Sequence, residues 1–146
     1  MQLRFRQLTL LCSAALVTAC ASTTDNTATP RTAQQIAQQT IIVDTHIDVP
    51  YRLHKDWEDV TVATKRGEFD YPRAQAGGLN APFMSIYIPA SYERSGGGYQ
   101  LANHLIDGME ALVGRAPDKF AMAYSTDDVL AQFGSGKVSL ALGMEN

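Results

Sequence analysis

The chain has 146 residues, 45% of them hydrophobic, and carries 12 Lys plus Arg against 15 Asp plus Glu for a formal net charge of −3. That suffices for a single apolar core, and the scattered basic residues exclude the clustered positive face that nucleic acid or an anionic membrane patch would require. Of the two cysteines, Cys12 falls in an apolar leader, so the mature chain has no internal disulfide and must be stabilised by its core or by metal.

Met1 to Gln7 carries Arg4 and Arg6 and no acid; an apolar run from Leu8 to Val17 follows, then small residues up to Cys20. This is the order of an export signal, and the run is shorter than the about 20 apolar residues a membrane span needs. Val17-Thr18-Ala19-Cys20 resembles a lipobox, which makes Cys20 the lipid-bearing first residue of the mature protein. The alternative is ordinary cleavage after Ala19, leaving Cys20 a free thiol. Ala21 to Pro30 is small and polar, with nothing to bury, and reads as a tether. The expected organisation is therefore a signal over 1–19, a tether over 20–31 and a folded domain over 32–146, exported and membrane-anchored, facing the periplasm or cell exterior. Losing Arg4 and Arg6 brings the mature net charge to about −5.

Ala33, Ile36 and Ala37 suit a short amphipathic helix before the β-branched run Thr40-Ile41-Ile42-Val43, which leads into Asp44-Thr45-His46-Ile47-Asp48-Val49-Pro50. Strand alternation predicts His46 and Asp48 on one face, their Cα atoms about 6.5 Å apart, with the strand stopping just before Pro50. A His-x-Asp pair at a strand's C-terminal end is competent to bind metal; it is also compatible with a structural His–Asp hydrogen bond.

Gly77-Gly78 marks a helix C-cap, Pro82 to Pro89 a second buried strand, and Ser95 to Gly98 a flexible loop. Leu101, Leu105, Met109, Leu112 and Val113 recur at helical spacing within Tyr99 to Arg115, a core-packing stripe. Phe120 to Tyr124 reads as a strand, Ser125-Thr126-Asp127-Asp128 as a helix start, and Lys137 to Asn146 as an apolar strand reaching Glu145. Alternating strands and helices predict a parallel α/β sheet. A closed eight-stranded barrel takes about 250 residues, whereas about three strands are predicted here. The expectation is the first strands only of an incomplete (β/α)8 TIM barrel, a truncated N-terminal portion with an unpaired edge and little activity by itself.

Three blocks, Asp44 to Pro50, Phe69 to Leu79 and Lys119 to Glu145, resemble in order the membrane dipeptidase family, also called renal dipeptidase family metallopeptidases. The resemblance implies a barrel of the metal-dependent amidohydrolase type holding two zinc ions that share a bridging carboxylate and water. It implies His46 and Asp48 as ligands of the first zinc, Glu145 as the bridge, and dipeptide hydrolysis through a metal-bound hydroxide. The remaining ligands and the substrate-binding groups fall beyond Asn146, so no catalytic residue is assigned. The implied partners are a dipeptide, the membrane through lipid on Cys20, and a second copy in a homodimer; nucleic acid is not among them.

Thr45 and Ile47 stand where better-known members have Gly and Asn, and Met144-Glu145-Asn146 replaces Val-Glu-Gly. Ile47 is expected to make the mouth of the first strand more apolar and so to bear on substrate range. His54 and His104 match no block and read as surface or structural residues. Two other readings stay open: an exported lipoprotein with a binding or structural role, and an amidohydrolase acting on another amide or lactam.

Overall fold

The computed structural model describes residues 29–145. The signal, Cys20 and the tether up to residue 28 lie outside the described residues. Thr32 caps helix α1 (Ala33–Gln39), its hydroxyl accepting from Gln35 N while the Gln35 side chain accepts from Thr32 N, a reciprocal cap. Strand β1 (Ile42–Ile47) follows, then helix α2 (Val49–Lys55), an irregular excursion, and helix α3 (Tyr71–Gly77). Gly78, at φ 79°, closes α3 in the left-handed conformation that glycine adopts cheaply. Strand β2 (Leu79–Tyr87), helices α4 (Ser91–Ser95) and α5 (Gly98–Arg115), strand β3 (Phe120–Met122), helix α6 (Thr126–Gln132) and strand β4 (Val138–Glu145) complete the order.

Four strands, rather than about three, form one parallel sheet in the order β1-β2-β4-β3. The order is not sequential, because β3 pairs with Val138–Leu140 on the far side of β4, while β2 pairs with Ala141–Glu145. The stripe of α5 packs as its spacing predicts: Met109 and Leu112 join Met84, Phe120, Val138 and Leu140 in one buried cluster, and Leu101 and Leu105 join Ile86 and Ile88 in another. These clusters cover the helix side of the sheet. The opposite face leaves Val43 and Phe83 exposed over an open hollow.

Two local expectations change. Ser95–Gly98 is not a plain loop: α4 ends at Ser95, Gly96 and Gly97 carry positive φ, and Gly98 already begins α5. The strand expected to stop just before Pro50 ends earlier, at Ile47, and Val49-Pro50 opens α2. Proline is tolerated in a first helical turn because its missing N–H has no intrahelical partner there. Among the described residues no helix is long and apolar enough to cross a membrane.

Candidate metal centre

Register irregularities in β1 decide where its polar residues point. Between Asp44 and Ile47 the strand spends three steps against two from Pro82 to Met84 in β2, so one extra residue is inserted. Asp44 Oδ1 accepts from His46 N at 3.0 Å across this bulge, and Pro82, which has no N–H to give a ladder, lies opposite it. An inserted residue reverses the alternation of faces. Val43 therefore lines the open face, whereas Ile47, four residues on, packs against the helix-side core. His46, immediately before Ile47, falls on the open face. Ile47 is thus turned away from the rim and does not shape its mouth, contrary to the sequence expectation.

Asp48 is not a strand residue. It occupies the N-cap of α2 but makes no capping hydrogen bond. An N-cap carboxylate ordinarily accepts from the second or third helical N–H; Pro50 removes one of these donors, and the Asp48 carboxylate faces His46 instead. Glu145 ends β4, placed by the β2–β4 ladder that pairs it with Tyr87 and by Ile88 N, which donates to its carbonyl at 3.1 Å.

These three side chains meet. His46 Nε2 is 3.3 Å from Asp48 Oδ1 and 3.4 Å from Glu145 Oε1, and one ligand atom from each residue lies within 4.8 Å of the others. A charge-assisted hydrogen bond would bring such atoms to about 2.7–2.9 Å. Ligands of a tetrahedral ion bound at about 2.1 Å are instead separated by about 3.4 Å, the edge of that tetrahedron. The two spacings from His46 match the second figure, and imidazole with carboxylate is a donor set suited to a divalent ion such as zinc. The side chains remain accessible, at 50% exposure for His46, 68% for Asp48 and 39% for Glu145, so an ion and further ligands have room to enter.

Ser85, to which the sequence reading gave no role, belongs to the same rim: its hydroxyl donates to Glu145 Oε1 at 2.8 Å. A lone polar residue in a buried strand was the available signal. His54 and His104 lie elsewhere, rings 5.1 Å apart between α2 and α5, and are not part of the group.

Apart from this group, Asp70 organises the excursion after α2. It caps α3 by accepting from Arg73 N at 2.9 Å and also accepts from Thr64 N, Thr64 Oγ1 and Arg73 Nε. Burial alone would raise its carboxyl pKa, but the hydrogen bonds from Arg73 and Thr64 to the ionised form outweigh burial and hold it well below the usual carboxylate range.

A parallel sheet that delivers an imidazole and two carboxylates to its C-terminal edge defines an α/β protein with a metal-competent rim. The chain belongs to the membrane dipeptidase family, peptidase family M19, whose sequence profile matches residues 30–146. Dipeptidase ataJ of Aspergillus terreus is 28% identical over 125 residues, covering 77% of this chain and 30% of the relative. Among solved structures, the metallopeptidase dipeptidase AC superposes with a TM-score of 0.61 at 22% identity, over 73% of this chain and 35% of its own. A Rhodobacter sphaeroides metallopeptidase bound to a phosphinate mimic of L-Ala-D-Ala gives a TM-score of 0.61 at 21% identity, over 73% and 38%. The probable dipeptidase PvdM of Pseudomonas aeruginosa gives 0.60 at 19% identity, over 74% and 29%. These likenesses establish the fold: the four strands are part of a (β/α)8 barrel. The chain spans roughly a third of the length of these relatives.

Proposed function

We propose that the complete protein is a zinc-dependent dipeptidase, with His46 and Asp48 holding one ion and Glu145 bridging it to a second. The observation that carries this is the spacing of 3.3 and 3.4 Å from His46 Nε2 to two carboxylate oxygens, too long for a tight hydrogen bond and right for ligands of one ion. Family membership supports a metallopeptidase, and the relative bound to a dipeptide mimic supports a dipeptide substrate, including one with a D-residue at its C-terminal side.

The residues divide the work by their placement. His46 and Asp48 flank the end of β1, one raised by the bulge and the other on an uncapped helix start, so neither carboxylate nor imidazole must leave a competing partner to bind. Glu145 offers Oε1 towards them, while Oε2 makes no hydrogen bond among the described residues and is free for the second ion. Bound by these residues, zinc would supply Lewis acidity and an activated water near neutral pH, chemistry that needs no serine or cysteine nucleophile. Residues 1–19 act as a signal and 20–31 as a tether from lipid on Cys20, so the hydrolase faces the periplasm or cell exterior, with 32–146 forming the first part of its barrel.

The test is made on the full-length protein. Metal analysis should return zinc, and a chelator should abolish hydrolysis of dipeptides that zinc then restores. Protein that retains no metal and cleaves no dipeptide would falsify the reading; hydrolysis of lactams or other amides in place of dipeptides would transfer it to a different amidohydrolase substrate. Mass spectrometry of the mature N-terminus tests the anchor, and an unmodified Cys20 thiol rules it out.

A further inference from the structure

Ser85 lies on the strand between the two sides of the rim. The sheet order places β2 between β1 and β4, so His46 and Glu145 come from strands two spacings apart, about 10 Å between backbones. Their side chains meet only if the strand between them carries little bulk there. Ser85, 2% exposed, is paired in register with Gly143, and both are small.

The hydroxyl adds a directional constraint. Its 2.8 Å hydrogen bond reaches Glu145 Oε1, 60 residues away in sequence and the same oxygen that faces His46 Nε2. Among the described residues Ser85 Oγ has no other hydrogen-bond partner, and no other side chain donates to the Glu145 carboxylate. A carboxylate oxygen has two lone-pair directions. With one taken by Ser85, the other is left towards His46 and Asp48, and rotation of the carboxylate about its terminal bond is arrested.

We infer that Ser85 is a positioning residue of the metal centre: its hydroxyl fixes which oxygen of Glu145 is presented beside His46 and Asp48 and leaves the second oxygen directed away. This rests on the metal site proposed above. Partners that hold a ligand in place typically influence metal affinity by about 10–100-fold when removed. A purely structural serine would act on the metal-free fold instead.

The experiment compares the full-length protein with Ser85→Ala and Ser85→Thr, titrating zinc against a competing chelator and melting the metal-free forms. Ser85→Ala keeps the small volume and removes the donor; it should bind zinc about 10–100-fold more weakly than the parent while its metal-free melting temperature is unchanged. Ser85→Thr restores the donor at the cost of one added methyl and should recover most of the loss, binding within about threefold of the parent, a smaller change than that of Ser85→Ala. Parental affinity in Ser85→Ala overturns the inference, and so does a loss of affinity matched by a lower melting temperature of the metal-free protein. Absence of zinc binding in the parent itself removes the proposed metal site, and this inference with it.

Discussion

Replacing Asp70 by asparagine keeps the side-chain volume but removes the charge and places an amide among groups that donate. Asp70 is fully buried, and four hydrogen bonds from Thr64 and Arg73 end on its two oxygens. Removing one partner of a buried ion pair costs about 3–5 kcal/mol. Here the Arg73 side chain is 42% exposed and can rehydrate once abandoned, which lowers the expectation to about 2–3 kcal/mol. Asp70→Ala also forfeits the cap on α3 and should lose about 1 kcal/mol more. Urea unfolding of the full-length protein measures this as a lower midpoint at unchanged slope. The pH dependence has a definite sign. The folded carboxyl titrates below its unfolded value of about 3.9, so its stabilisation is complete above that pH and is lost as the pH falls through and below it. The gap between wild type and Asp70→Asn should be constant from neutral pH down to about 5 and shrink in stronger acid. Equal midpoints at neutral pH, or a gap that acid leaves intact, would refute the account of Asp70 as an ionised brace.

Two further substitutions examine packing at the N-terminal ends of β2 and β3. Gly78→Ala places a Cβ at φ +79°, 2.6 Å from the Ala37 carbonyl oxygen, so the left-handed penalty of about 1–2 kcal/mol is a lower bound and the melting temperature should fall by several degrees. An unchanged melting temperature would mean that α1 does not hold its place against α3. Phe120→Ala empties a fully buried site between Phe69 and Tyr71, whose rings lie 6.5 and 5.6 Å away; unfolding free energy should drop by about 3–5 kcal/mol in urea. A loss below about 1 kcal/mol would show that this end of the core collapses freely.

What the amino-acid order revealed depended on whether the signal was local. The α5 stripe, the Gly78 cap and the Ser125 start of α6 are set by residues within a turn or two of one another, and they lie where the pattern puts them. Helix α2 was hidden because an apolar run ending in proline resembles a strand stop, although Asp48 followed by Val49-Pro50 also fits a helix entrance. The kinds of residue at the rim were legible, but their orientation was not. The β1 bulge follows Asp44, opposite Pro82, and a separate register shift leaves Asn80 of β2 without a ladder partner, its Oδ1 accepting from Ile42 N instead. Likewise, Ser85 acquires meaning only from Glu145, and the outer placement of β3 from a ladder formed after α6 has crossed.

That central placement of β2 has a consequence for assembly. In the proposed metal site His46 and Asp48 come from the start of the described residues and Glu145 from their end, so an ion would join them only once β4 has taken its place beside β2. The packing of β2 against α5 and the β2–β4 ladder are what would hold the ligands ready for such an ion. Affinity for the proposed cation would thereby report correct strand order, since β4 threaded one residue out of register would turn Glu145 to the other face of the sheet.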